Sequence, residues 1–120
     1  MAQRKFTLVP CAAAGDRFTD FMPYVASLND AGVVAFQAAL RRGGTGVFIG
    51  SGGPVATVIE AGSGPLGAIT SHPDINRAGA VCFYAELTAG GQGVFLVRDG
   101  QLIAVARSGR AKREIPGPGF

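Results

Sequence analysis

The chain has 120 residues, of which 48% are hydrophobic and 16% are charged. This balance excludes an intrinsically disordered chain, and the length fits a single domain. The net charge of +3 is a mild basic bias. No apolar run reaches the roughly 18–20 residues of a membrane-spanning helix, so we expect no membrane segment. The N-terminal stretch, broken by Pro10, does not resemble an intact signal peptide, and the compartment stays open.

The first 28 residues predict two short β segments. The first lies near residues 5–10 and includes the apolar run Phe6-Thr7-Leu8-Val9. The second runs from Phe21 to Leu28. Both assignments rest on their register with better-defined segments further along the chain, and they make residues 1–28 a partial unit.

Residues 29–75 predict one complete repeat of four β segments. The fourth segment of one repeat is expected to join the first three of the next in a four-stranded sheet. Gly32 to Leu40 alternates with a period of two, which is typical of a strand. Gly43-Gly44-Thr45-Gly46 has the chemistry of a hairpin turn, and the apolar runs Val47–Ile49 and 55–59 follow it. The last segment, 67–75, contains Pro73 and therefore suits a sheet edge.

Residues 76–120 repeat this unit with a period of 47 residues. Sliding 29–62 over 76–109 needs no gap and leaves 15 of 34 positions identical. Each identical residue recurs 47 positions later: Asn29, Ala31, Gly32, Val34, Phe36, Ala38, Leu40, Gly43, Gly44, Gly46, Val47, Phe48, Gly53, Val58 and Gly62. A fixed period of this length is the signature of solenoids, propellers or arrays.

The pattern Asn-x-x-Gly-x-x-Ala-Phe, followed by Gly-x-Gly-Val-Phe, resembles the NxxGxxAF tandem-repeat family of bacterial β-repeat proteins. The resemblance implies propeller-like blades, a frequently exported protein and no catalytic residues. The positions that carry it are structural: Asn29, Gly32, Phe36, Gly46, Phe48, Gly62, Asn76, Gly79, Phe83, Gly93, Phe95 and Gly109. We expect the two Asn side chains to bond turn backbone, Gly32 and Gly79 to take positive φ, and the four Phe rings to fill the space between sheets.

We therefore predict one all-β repeat domain over residues 1–120. It would hold two four-stranded antiparallel sheets, like two propeller blades, plus one extra N-terminal strand. A compact β-sandwich or barrel built from the same hairpins is the alternative. Two blades cannot close a ring, and an array needs about three or more repeats to be stable. This predicts a symmetric homo-oligomer, with a trimer favoured, in which the extra strand pairs with a neighbour's sheet edge.

The sequence offers no catalytic pattern. Its carboxylates are scattered, His72 lies beside Pro73 in an expected loop, and no nucleophile–base pair, phosphate loop or metal spacing occurs. We expect neither an enzyme nor a cofactor. Cys11 and Cys82 fit free thiols that pack as small apolar groups, with a disulfide or a reactive thiol as alternatives.

Binding remains the predicted role. A ring could present its loops to a glycan or a protein ligand, although the chain has no Trp. The alternative is polyanion binding, with nucleic acid as the less favoured partner, through a basic C-terminal group: Arg107, Arg110, Lys112 and Arg113.

Overall fold

The computed structural model of the protein describes residues 7–22 and 24–108. Within them the chain forms ten strands and no helix. The strands are β1 (Phe18–Phe21), β2 (Ser27–Leu28), β3 (Val34–Leu40), β4 (Thr45–Gly50), β5 (Ala56–Ala61), β6 (Leu66–Ile69), β7 (Asp74–Ile75), β8 (Val81–Leu87), β9 (Gln92–Arg98) and β10 (Gln101–Ser108).

The strands form two antiparallel sheets that repeat the same plan. Sheet A has the order β1-β3-β4-β5, with β2 also paired to β3. Sheet B has the order β6-β8-β9-β10, with β7 also paired to β8. Phe36 faces Phe48 across β3 and β4, and Phe83 faces Phe95 across β8 and β9. The prediction of an all-β chain with two antiparallel sheets is confirmed.

In each sheet, the segment before the first long strand is split into two short strands, β1 and β2 in sheet A and β6 and β7 in sheet B. In sheet B the break between β6 and β7 contains Pro73, which is buried and has no backbone N–H to donate to a ladder. The segment therefore pairs with β8 at both of its ends but not in the middle. For this reason, the single edge strand expected over 67–75 is two short strands.

The sheets stack face to face. We call the side that carries Phe36 and Phe48 in sheet A, or Phe83 and Phe95 in sheet B, the front face, and the opposite side the back face. The back face of sheet A packs on the front face of sheet B. The main core lies between them, and its buried members are Ala35, Val47, Ala61, Leu66, Ile69, Ile75, Val81, Phe83, Ala85, Phe95 and Val97.

The described strands form no closed barrel, and the arrangement is sandwich-like or blade-like. The front face of sheet A is covered differently from that of sheet B. Phe18 packs edge-on against Phe48 with ring centroids 4.9 Å apart, and Phe36 joins the same aromatic cluster. The Arg17 guanidinium lies 5.0 Å above the Phe48 ring and donates to the Val55 carbonyl. Phe36 and Phe48 were predicted to fill space between sheets, but the residues over them belong to the N-terminal segment and β1.

The extra N-terminal strand expected near residues 5–10 is not formed by residues 7–10, which are irregular. Residues 5 and 6 lie outside the described part of the chain. Pro10 has no N–H group to donate to a ladder. The sequence predicts that this strand pairs with a neighbouring copy of the chain. Leu8 and Val9 are accordingly exposed in the single chain.

Candidate functional site

The loops before β3 and β8 link the two repeats. Asn29 Oδ1 accepts hydrogen bonds from the backbone N–H groups of Ala31 (3.0 Å) and Val33 (2.9 Å), and Gly32 takes a φ of 82°. This closes a tight turn and leaves the amide nitrogen free to reach the next repeat. Asn29 Nδ2 donates to the carbonyl oxygen of Asn76 at 3.0 Å. The first Asn thus shapes its own turn and joins the sheets.

Asn76 builds the same turn in the second repeat. Its Oδ1 accepts from the Ala80 N–H at 2.9 Å, and Gly79 takes a φ of 90°. Within residues 7–22 and 24–108, the Asn76 side chain has no bond that matches the one from Asn29 Nδ2. The second turn is therefore built like the first but stands at the end of the stack.

Three further polar contacts cross between the sheets. The Ile75 N–H donates to Ser27 Oγ at 3.1 Å. Arg77 Nη2 donates to Asp30 Oδ2 at 2.7 Å, on the exposed rim. Gln37, which is buried, donates from Nε2 to the Ile69 carbonyl at 3.1 Å. With the Asn29 contact they align the two repeats in one register.

The back face of sheet B carries apolar side chains that no other sheet within the described residues covers. We call this set the outer surface, and it comprises Cys82, Tyr84, Val94, Leu96 and Ala106. The residues 47 positions earlier lie on the back face of sheet A, where sheet B covers them. Gln37 is 4% exposed, whereas its counterpart Tyr84 is 57% exposed. Val47 is fully buried, whereas its counterpart Val94 is half-buried.

A cavity of about 260 Å³ opens on the outer surface between β8, β9 and β10. Tyr84, Val94 and Ala106 line its apolar side, and Arg107 and Ser108 its rim. Arg107 belongs to the basic group that the sequence offers for polyanion binding. The other three members, Arg110, Lys112 and Arg113, lie outside the described residues, as does Gly109. Polyanion binding therefore stays a prediction.

The two cysteines are free and half-buried. Cys82 lies on the outer surface, where it faces Asp74 across the β7–β8 ladder. Burial raises the pKa of the Cys82 thiol, and the nearby Asp74 carboxylate raises this pKa further because it repels a thiolate. At a given pH the thiolate fraction of Cys82 is therefore lower than that of an ordinary cysteine.

Gly46 and Gly93 have a role that the sequence did not indicate. They were assigned to hairpin turns, but both lie inside strands and neither has positive φ. The ring of Phe48 packs over Gly46, where an added Cβ would be 2.9 Å from the ring and 2.9 Å from the Ile59 carbonyl oxygen. The close approach of this ring and of the Ile59 carbonyl oxygen on the neighbouring strand is what requires glycine here. Gly62, by contrast, takes a φ of 107° just after β5.

No group of three or more His, Cys, Asp and Glu within the described residues could hold a metal ion. No helix in this part of the chain is long and apolar enough to cross a membrane.

Comparison with protein-family models, with curated proteins and with solved structures found no match for this chain. The resemblance to the NxxGxxAF repeats therefore stays a prediction. The candidate site rests on the geometry of the two sheets alone.

Proposed function

We propose that the protein is a non-catalytic structural module that assembles with copies of itself into a symmetric homo-oligomer. A cyclic trimer is favoured, because three chains of two sheets would form a six-bladed, propeller-like ring. Such a ring would repeat the same turns around its rim, which suits multivalent binding of a glycan or a protein.

One observation supports this assembly. The outer surface of sheet B matches, at a spacing of 47 residues, the surface of sheet A that the neighbouring sheet buries. Its members have kept apolar character: Val94 corresponds to Val47, and Leu96 to Ile49. Contiguous exposed apolar side chains of this kind mark an interaction surface. Another sheet is the kind of partner that this surface already has inside the chain.

The test is the molar mass of the full chain in solution. We expect multi-angle light scattering to give a multiple of 12.2 kDa, with three as the favoured factor. Val94→Arg places a charge on the outer surface and is expected to yield the monomer. Ser63→Arg, in the exposed turn between β5 and β6, is the matched control and should leave the mass unchanged. A wild-type chain that stays monomeric at every concentration tested would refute the proposal.

A further inference from the structure

We infer that the second copy stacks head to tail: its sheet A, on the side of β2, covers the outer surface of sheet B. This inference rests on the proposed function and names the part of the partner that makes the contact. Apolar surface is exposed at both ends of the stack. Ile75 on β7 is 9% exposed in the contact between the sheets, whereas Leu28, its counterpart on β2, is 68% exposed. The first sheet thus lacks a neighbour at β2, and the second lacks one on its back face.

The part of the front face of sheet A that is still uncovered explains why β2 makes the contact. Phe18 and Arg17 already cover the rings near β1. Beyond them Phe21, Tyr24 and Leu28 are exposed. A second copy would therefore bring an apolar strip from β1 and β2 onto the outer surface.

Hydrogen bonding between the sheets can be continued into the second copy. Inside the chain, Ser27 Oγ accepts from the Ile75 N–H. The residue at the position of Ser27 in the second repeat is Asp74, and the group equivalent to the Ile75 N–H is the Leu28 N–H of a second copy. A carboxylate accepts such a bond as a hydroxyl does. The exchange of Ser for Asp therefore keeps the acceptor that the stacking requires.

The two neighbouring contacts continue in the same way. Asn76 occupies the position of Asn29, so its amide nitrogen can donate to the Asn29 carbonyl of a second copy. Arg77 occupies the position of Asp30, and inside the chain these two form an ion pair. In the next contact Arg77 would meet Asp30 of a second copy, so the charges are again opposite. Pairing two copies through their outer surfaces alone would leave β2 and its polar groups unused.

Two variants, each with one blocked end, test the direction of stacking. Tyr84→Arg blocks the outer surface, and Leu28→Arg blocks β2. Both positions are more than half exposed in the single chain, so the fold should tolerate them, which circular dichroism would check. In head-to-tail stacking every contact needs one intact end of each kind. Each variant alone should therefore be monomeric, with its dissociation constant raised about tenfold or more by the buried charge.

Mixing the two variants gives the decisive result. The intact outer surface of Leu28→Arg can take the intact β2 side of Tyr84→Arg, and the pair cannot grow further. We expect a one-to-one complex of twice the chain mass by light scattering, and none in a mixture of either variant with itself. If the wild type assembles but the Leu28→Arg variant also assembles, or the mixture forms no complex, head-to-tail stacking is overturned. The cyclic trimer then falls with it, because a ring of three copies needs head-to-tail contacts, whereas a symmetric dimer through the outer surfaces would still stand. A monomeric wild type would refute both the stacking and the proposed function.

Discussion

The glycine beneath each Phe ring provides a direct test of the packing. In Gly46→Ala the new Cβ would lie 2.9 Å from the Ile59 carbonyl oxygen and 2.9 Å from Cζ of Phe48. The ring can shift slightly, but the carbonyl oxygen belongs to the neighbouring strand of the ladder. Overpacking of this kind costs about 1–3 kcal/mol of the free energy of unfolding. The lower entropy of Ala in the unfolded chain offsets about 0.4–1 kcal/mol of it.

The net loss should be about 1–2 kcal/mol, which lowers the melting temperature of a small domain by roughly 5–15 °C. Thermal unfolding followed by circular dichroism measures it, at one chain concentration because assembly would raise the apparent stability. Gly53→Ala is the control: its Cβ meets nothing within 4 Å, and its φ is not positive. Gly93→Ala should behave like Gly46→Ala, since its Cβ would be 2.8 Å from the Ala106 carbonyl oxygen. Equal melting temperatures for Gly46→Ala and Gly53→Ala would refute the packing argument.

Two more predictions concern the linking turns and the outer surface. Asn29→Ala should lower the free energy of unfolding by about 0.5–1.5 kcal/mol more than Asn76→Ala in urea titrations of dilute protein, because within the described chain Asn29 bonds across the sheets and also accepts a second hydrogen bond in its turn, from the Ala31 N–H; equal losses would contradict the linking role of Asn29. In dilute protein that light scattering shows to be monomeric, so that no second copy covers the outer surface, Cys82 of a Cys11→Ser variant should react with iodoacetamide at pH 8 more slowly than a peptide thiol, because its raised pKa leaves less thiolate. Under the same conditions Asp74→Asn should speed the reaction by removing a repelling charge. An unchanged rate in that variant would exclude the influence of Asp74 on the thiol.

Local pattern was enough to predict the long strands of each sheet. Alternation over Gly32 to Leu40 and the glycines at 43 and 44 predict β3 and the turn after it, and both glycines there have positive φ. The 47-residue period then carries the same plan to the second sheet. These signals are local because strand alternation and turn geometry depend on neighbours in the chain.

Long-range packing is where prediction from sequence stopped. Nothing local states that the back face of sheet A meets the front face of sheet B, or that Arg17 and Phe18 cover the first sheet. Gly46 looked like a turn residue because it follows other glycines, whereas the Ile59 carbonyl oxygen on the neighbouring strand and the Phe48 ring determine its need for glycine. One available signal was missed: Asp30 and Arg77 hold the same repeat position with opposite charge.

That change of sign bears on how copies can assemble. Both side chains are mostly exposed, so their ion pair contributes less than about 1 kcal/mol, and its value lies in selecting a register. In a stack where equivalent positions of successive sheets are neighbours, Asp30 and Arg77 must alternate if like charges are to stay apart. A closed ring keeps this alternation only with an even number of sheets. A chain of two sheets meets that condition for every number of copies, which makes the pair of repeats, rather than the single repeat, the natural unit of assembly.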